Sequence, residues 1–257
     1  MAEANAIYVL VAREFKKFIR EKSRLVSAIA RPLIWLFLVG GGMSRLVLPG
    51  MGALGGMTYI QFIFPGILGM TILFSAIFSS ISIIWDKEFG LMKEILVAPV
   101  SRFSIVLGKA LSGTIVSLIQ SLIILALFPF LGIRIGIPAI LQTVGVCALL
   151  SFCIASLGIV IATFYENFES FSVIMNFIVM PMFFLSGAMY PVRLLPDILK
   201  VFARLNPFTY GIDALKHVIF AGGVMVYDLS PVTDIAVLLL TSAVFVAIAG
   251  TIFEKKK

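Results

Sequence analysis

The sequence predicts an all-α membrane protein, and three observations lead to that fold class. Hydrophobic residues make up 61% of the 257-residue chain, charged residues make up only 13%, and long uncharged runs separate the charges. A soluble chain of this length carries about a quarter charged residues. Six of the apolar runs reach about 20 residues, the length that an α-helix needs to cross a hydrocarbon layer of about 30 Å.

The six apolar segments qualify as membrane-crossing helices within one transmembrane domain, residues 1–257. Arg31 lies near the start of the first segment, where a long side chain can extend to the membrane interface. The predicted spans are residues 25–48, 60–84, 110–131, 137–164, 171–190 and 235–253.

Basic residues are distributed unequally between the two sides that six crossings define. Fourteen of the 20 Lys and Arg residues lie on the side of both termini. Because Lys and Arg are enriched in cytoplasmic loops, both termini are predicted to be cytoplasmic in a multi-pass protein of the inner (plasma) membrane. We therefore expect the net charge of +7 to orient the protein in the membrane, and nucleic acid is not an expected partner.

Residues 5–24 have the pattern of an amphipathic helix. Ile7, Val11 and Phe18 recur on one face, with Arg13 and Lys17 on the opposite side. This pattern predicts a helix that lies in the cytoplasmic interface in contact with membrane lipids. An ordinary solvated leader helix is the alternative.

A second amphipathic stretch, residues 86–102, connects the second and third spans. Phe89, Met92 and Leu96 recur at intervals of three and four residues and form one apolar stripe, and Pro99 is expected to end the helix. The pattern predicts a short helix that docks on a soluble partner. A merely solvated connector is the alternative.

The segment between the fifth and sixth spans, residues 191–231, predicts two short helices. One runs over residues 197–205; the second runs over 207–221, with Asn206 as its N-cap and Pro207 in its first turn. Both are too short to span a membrane and too apolar for free solvent. We therefore expect them to enter the outer leaflet part way, as re-entrant helices, or to cap the bundle.

Polar residues inside the predicted spans are mostly hydroxyls and amides, and some have aromatic neighbours. They either line a substrate path or act as helix-packing contacts. The residues predicted for a substrate path are Ser75, Phe78, Ser79, Asn176 and Phe183.

Sequence motifs for catalysis or metal binding are missing. There is no G-x-x-x-x-G-K-[ST] phosphate loop, so the chain is not expected to be an ATPase of that type. His217 follows Asp213 by four residues, a spacing interpreted as a surface pair. No catalytic residue and no metal site is expected.

Several ordered blocks resemble the ABC-2 type permeases, the membrane subunits of ATP-binding-cassette exporters, and the pattern is similar to drug-resistance and nodulation-factor export permeases. The resemblance covers nearly the whole chain. Its blocks are residues 86–102, Phe64-Pro65-Gly66, Leu185-Ser186-Gly187, Tyr190-Pro191, Leu195-Pro196 and Asn206-Pro207-Phe208-Thr209-Tyr210.

The resemblance implies a permease that moves an amphiphile (a drug, a lipid or a lipid-linked glycan) outward. Two permease subunits, expected to form a homodimer, would join two copies of a P-loop ATPase subunit. ATP and Mg would be bound by that partner, with no cofactor in this chain. A coupling helix would contact the ATPase through Glu88, Gly90, Glu94 and Pro99, to which the apolar stripe adds Phe89, Met92 and Leu96.

Two other functions remain open from the residues alone. Asp213, Lys216 and His217 suggest a membrane-embedded enzyme that acts on lipid. The second open function is that of a nonenzymatic assembly subunit, in which the hydroxyl residues inside the spans only pack helices together.

Overall fold

The computed structural model of the protein describes residues 2–47, 58–92, 97, 100–133, 135–220 and 228–255. The described residues form helices and no strand, which confirms the all-α prediction. Short 3₁₀ turns occur at Phe128–Leu131 and Val192–Leu194. The α-helices are α1 (Ala2–Arg20), α2 (Lys22–Val47), α3 (Tyr59–Ser79), α4 (Ile81–Glu88), α5 (Arg102–Leu125), α6 (Ile137–Phe164), α7 (Phe168–Leu185), α8 (Asp197–Leu205), α9 (Pro207–Ile219) and α10 (Pro231–Lys255).

Among the described residues, five helical segments are long and apolar enough to cross a membrane, and they coincide with predicted spans two to six. The predicted first span corresponds to α2, whose apolar stretch, Ile29–Gly42, is shorter than a crossing. A sixth crossing therefore stays a prediction. The five segments are Tyr59–Glu88, Arg102–Leu125, Ile137–Phe164, Phe168–Leu185 and Pro231–Glu254.

The helix that corresponds to the predicted third span, 110–131, is shifted toward the N-terminus and runs over Arg102–Leu125. Helix α5 begins at Arg102, because the Ser101 hydroxyl caps it by accepting the Ser104 backbone N–H at 3.2 Å. Lys109 then lies inside the helix, where it is buried and paired with Asp86 at 2.6 Å. Because Asp86 neutralises it, the Lys109 charge can lie within a helix and does not have to mark the helix end.

Helices α3 and α6 form the centre of the bundle. Every residue of α3 from 62 to 77 is buried, and α6 packs against α3, α5, α9 and α10. Gly66 in α3 lies against the backbone carbonyl of Ala188, and a Cβ at this position would overlap that carbonyl. This close approach explains the glycine of the Phe64-Pro65-Gly66 block.

Helix α1 packs along α5 and ends at Arg20, four residues before the predicted end at residue 24. Phe18 on its predicted apolar face is buried, whereas Tyr8 and Ile19 are exposed. One part of the apolar face therefore contacts the protein, while contact of the remainder with lipid stays a prediction.

The two short helices before α10 differ in their surroundings. Asn206 caps α9 by accepting the Phe208 backbone N–H at 3.1 Å, and the apolar face of α9 packs inside the bundle, with Ile212 and Leu215 fully buried. Helix α8 instead exposes its apolar residues Ile198, Val201, Phe202 and Leu205. The expectation that the two helices enter the outer leaflet part way or cap the bundle stays a prediction for both.

Candidate functional site

The segment that follows α4 carries the residues predicted to contact a partner. Helix α4 ends at Glu88, and Gly90 has a φ of 76°, a left-handed conformation that favours glycine and interrupts the helix. Phe89 is 73% exposed, whereas Met92 is 8% exposed. The prediction of one helix with Phe89 and Met92 in one stripe is therefore wrong. Glu88 and Gly90 are exposed, and Glu94, Leu96 and Pro99 lie outside the described residues.

Four charged side chains form a network immediately before this segment. The Lys109 ammonium donates hydrogen bonds to Asp86 at 2.6 Å, to Glu14 at 3.2 Å and to the Ser82 hydroxyl at 3.0 Å. The Arg13 guanidinium contacts Asp86 at 3.2 Å and Glu14 at 3.0 Å. We call Arg13, Glu14, Asp86 and Lys109 the four-charge network; it joins α1, α4 and α5.

The network is balanced in charge and in hydrogen bonds. Each of its two carboxylates contacts both cations, and Lys109 is buried beside them. Burial raises the pKa of Glu14, but the nearby Lys109 and Arg13 charges outweigh burial, so the net pKa is below its usual value. The carboxylate therefore stays ionised at neutral pH. Removing Lys109, the buried centre of the network, would leave two carboxylates without their buried partner, at a cost of about 3–5 kcal/mol.

Further contacts anchor the two ends of the segment between α4 and α5. Lys87 donates to the backbone carbonyls of Ala162, Thr163 and Tyr165 at 2.7, 3.2 and 2.8 Å, at the C-terminal end of α6. Ser101, at the start of α5, donates its backbone N–H and hydroxyl to Glu3 of α1 at 2.9 and 3.0 Å. A displacement of this segment would therefore be transmitted to α1, α5 and α6.

A cavity of about 160 Å³ lies among α2, α3 and α5. Its walls include Phe74 and Phe78, whose stacked rings are 6.2 Å apart. The Arg31 guanidinium lies 4.9 Å from the centre of the Phe74 ring, and the buried Ser75 hydroxyl has no hydrogen-bond partner among the described residues. Apolar aromatic walls with a single cation and a free hydroxyl suit an amphiphile that carries a polar or negative group.

The five residues predicted for a substrate path do not come together in the described structure. Ser75 and Phe78 line the cavity. Ser79 packs against Gly113 of α5, as the helix-packing alternative expects. Asn176 is exposed on α7 and donates to the Ser172 carbonyl at 3.0 Å, and Phe183 is buried in an edge contact with the Trp35 ring at 6.3 Å.

Sequence reasoning missed Arg31 and Gln120 as lining residues of this cavity. Arg31 was interpreted as a side chain that extends to the interface, although a charge inside an apolar run is itself a signal of function. Gln120 is an amide in the middle of α5, which is the same kind of signal. Nothing in the sequence showed that both face α3.

A second group of ionisable side chains lies at the opposite end of the bundle. Asp213 is buried and accepts the backbone N–H groups of Asp228 at 2.9 Å and Leu229 at 2.8 Å. His217 Nε2 lies 2.7 Å from the Leu229 carbonyl, 3.9 Å from Asp213 and 3.8 Å from Asp234. We call Asp213, His217 and Asp234 the α9–α10 cluster. The predicted surface pair of Asp213 and His217 is therefore wrong, because the pair is packed beneath α10.

The Lys216 side chain, also on α9, makes different contacts from those of Asp213 and His217. Its ammonium donates to the Gly187 carbonyl at 2.6 Å and lies 5.1 Å from the centre of the Phe62 ring. Burial lowers the pKa of Lys216 to about 8, although the charges of Asp213 and Asp228 oppose this shift. Its ammonium is thus bound to the Gly187 carbonyl rather than to a side chain of the α9–α10 cluster, which does not favour a shared catalytic site.

The helical bundle, its apolar spans and the charge network at one end define a polytopic membrane protein. The chain belongs to the ABC-2 type transporter family, whose model matches residues 5–220. It is therefore a transport permease, and family membership implies an ABC transporter system with an ATPase partner. Members of this family are typically nonenzymatic membrane subunits.

Curated relatives agree with this assignment. The putative transport permease ycf38 of Cyanophora paradoxa is 32% identical over 212 residues, which cover 82% of this chain and 72% of the relative. Nodulation protein J of Rhizobium leguminosarum bv. trifolii is 27% identical over 204 residues, covering 76% and 73%. The inner membrane transport permease YadH of Escherichia coli K12 is 25% identical over 252 residues, covering 97% and 95%. Together with the apolar helices, these relatives support an integral inner membrane protein.

Proposed function

We propose that this chain is the membrane subunit of an ABC exporter and moves an amphiphilic substrate outward with ATP hydrolysed by a separate subunit. In this proposal α2 adds a sixth crossing and both termini are cytoplasmic. Two copies of a P-loop ATPase bind ATP and Mg and dock on the segment after α4. The observation that carries the proposal is the four-charge network, which ties this segment to α1 and α5.

The exposed side chains after α4 support a docking role. Phe89 and Leu91 are both exposed, and they lie immediately beyond Asp86, whose carboxylate is fixed by Lys109 and Arg13. Exposed apolar side chains on a rigidly held segment favour contact with another protein. Glu94, Leu96 and Pro99 are proposed to continue the same contact.

The hydrogen bonds described above would transmit motion from the ATPase. When the ATPase subunits close on ATP, they push the segment after α4. Asp86 then passes the displacement to α5 through Lys109 and to α1 through Arg13, while Lys87 passes it to the end of α6. Helices joined by such contacts move as rigid bodies, which is how domain motions are commonly carried.

The cavity that contains Arg31 is the proposed substrate site. Its aromatic walls would bind the apolar part of an amphiphile, and Arg31 would bind a polar or negative headgroup. Drugs, lipids and lipid-linked glycans all combine these two parts. Ser75 and Phe78 keep their predicted role in this proposal, and Ser79 does not.

A second permease subunit is proposed to pack against α2 and α7. Only 22% of the apolar segment of α7 is buried, compared with 78% of the apolar segment that contains α3. Asn176 lies on the exposed side of α7, and an amide is costly to place against lipid. A homodimer would cover this side and bring Asn176 next to a partner helix.

The test is co-expression of the chain with its ATPase subunit, followed by copurification and measurement of substrate-stimulated ATP hydrolysis. Phe89→Ser is expected to lower the amount of copurified ATPase by about tenfold or more, because exposed aromatic residues commonly dominate protein interfaces. Phe130→Ser is the matched control, because Phe130 is also exposed but lies at the other end of α5. Equal copurification of the ATPase with both variants would contradict the docking role.

A further inference from the structure

The α9–α10 cluster combines the donor atoms that divalent metal ions prefer. Asp213 and His217 lie one turn apart on α9, and Asp234 lies in the first turn of α10. The donor atoms of the three side chains are all within 4.8 Å of one another. Carboxylate oxygens and an imidazole nitrogen are the usual ligands of Zn²⁺ and Mn²⁺ in proteins.

Asp234 is the strongest indication that a ligand belongs in this cluster. The residue is 0% exposed, and neither carboxylate oxygen has a hydrogen-bond partner among the described residues. A carboxylate that is removed from water needs hydrogen bonds or a cation to compensate for its lost hydration. The carboxylate oxygen Oδ2 lies 3.8 Å from His217 Nε2, and a donor atom of Asp213 lies within 4.8 Å of both side chains.

The Asp213 carboxylate is held in position by the backbone that precedes α10. The Asp228 and Leu229 N–H groups fix the Asp213 carboxylate, and the Leu229 carbonyl lies 2.7 Å from His217 Nε2. Groups that fix a ligand from outside are typical of metal sites, where they orient the donor atoms.

We propose that Asp213, His217 and Asp234 bind one divalent transition-metal ion of the Zn²⁺ or Mn²⁺ type. Two ligands bonded to one such ion at about 2.1 Å are separated by about 3.0 Å at a right angle, about 3.4 Å at a tetrahedral angle and at most about 4.2 Å. The observed distances of 3.8 and 3.9 Å from His217 Nε2 to the two carboxylates lie within this range. Binding at Nε2 releases to solution the proton that this nitrogen donates to the Leu229 carbonyl, and the imidazole turns away from that carbonyl to make room for the ion.

The ion has a route from the solution, because Asp213 also lines a cavity of about 220 Å³ between α8 and α9. Arg193, Lys200 and Arg204 line the same cavity; water and salt screen the charges of the two exposed arginines, and Lys200 is paired with Asp197 at 2.9 Å. Once bound, the ion would fasten the start of α10 to α9. This site is independent of the ATPase contact and of the Arg31 cavity.

The test uses the purified full-length chain in phosphatidylcholine nanodiscs, with an affinity tag that contains no histidine. Calorimetric titration with Zn²⁺ and with Mn²⁺ is expected to show one saturable site per chain for at least one of them. Co²⁺, followed by its visible absorption, reports whether a nitrogen and oxygen ligand set is formed. Asp234→Asn and His217→Gln should each weaken binding by more than about tenfold, the loss that removal of a mere supporting group already causes.

Asp197→Asn is the matched control, because Asp197 is an exposed aspartate that pairs with Lys200 on α8; it should bind the ion as the unaltered chain does. Thermal unfolding separates loss of the site from loss of the fold. Without metal, Asp234→Asn should unfold at the same temperature as the unaltered chain or at a higher one, and only the unaltered chain should gain stability from the ion. Absence of saturable binding, or equal binding and equal stabilisation in Asp234→Asn, would overturn the proposal.

Discussion

The two ends of the helix bundle both bury carboxylates, but they satisfy them differently. In the four-charge network each carboxylate has two cationic partners within 3.2 Å. In the α9–α10 cluster the buried Asp234 carboxylate has no hydrogen-bond partner among the described residues, and His217 Nε2 lies 3.8 Å away. A network in which every carboxylate has a cationic partner holds helices together, whereas a buried carboxylate without a partner indicates a site for a ligand. The difference suggests a mechanical role for the first region and a ligand for the second.

The largest expected effect comes from breaking the four-charge network at its centre. Lys109→Met leaves Asp86 and Glu14 with Arg13 alone, and we expect a loss of about 3–5 kcal/mol in the free energy of unfolding. The double variant Asp86→Asn with Lys109→Met keeps the Arg13 and Glu14 pair and should recover most of the loss. Chemical unfolding in detergent measures both, and an equal loss in the single and the double variant would show that the charges are not coupled.

Lys216 gives the second prediction, because its cation is buried at the end of the bundle where charges are less well compensated. Its pKa of about 8 in the folded protein lies below the usual 10.5. The unfolded chain therefore binds more protons between these pH values, and stability rises with pH in that window. Compared with Lys216→Met, the unaltered chain should gain about 3 kcal/mol between pH 8 and 10.5. If the free energy of unfolding changed equally with pH in the two proteins, the prediction would be contradicted.

The third prediction applies one substitution to both regions. Asp86→Asn removes a carboxylate that two cations neutralise, so the protein should lose stability. Asp234→Asn removes a buried carboxylate without a hydrogen bond, so in metal-free solution the protein should keep its stability or gain about 1–3 kcal/mol. Changes of opposite sign in the free energy of unfolding would support the comparison between the two regions, and a loss of stability in both variants would refute it.

The smallest effect is expected at Glu14, which lies at the edge of the network on α1. Glu14→Gln should weaken the contact of α1 with α5 by about 1 kcal/mol at neutral pH. The pKa of Glu14 is lowered in the folded protein, so its contribution is present above the usual value of 4.5 and is lost as the pH falls through the lowered value. Hydrogen exchange of the α1 amides measures this, and a difference between the two proteins that persists at low pH would contradict it.

The course of most helices could be predicted from the sequence because apolar runs and Pro or Asn caps are local signals. Helix α6 occupies the predicted residues 137–164, with Pro138 in its first turn. The start of α5 could not be predicted in this way, because Lys109 was taken as a charge outside the membrane. Its neutralisation by Asp86 is a long-range contact that spacing does not show.

The sites were predicted less well for the same reason. The segment after α4 was found from its amphipathic pattern, yet the left-handed Gly90 separates Phe89 from Met92. The relation of Asp234 to Asp213 and His217 depends on how α10 returns to α9, which no motif in the sequence indicates. Arg31 was noticed in the sequence, but its place beside Phe74 depends on how α2 packs on α3.

The central claim is that the four-charge network transmits motion from the ATPase to the membrane helices. The most direct measurement is substrate-stimulated ATP hydrolysis and transport by the double variant Asp86→Asn with Lys109→Met, in complex with the ATPase. The account predicts a folded chain that still copurifies with the ATPase, because Phe89 is unchanged, but whose ATP hydrolysis no longer responds to substrate and which no longer transports it. Full substrate stimulation and full transport by this variant would contradict the claim.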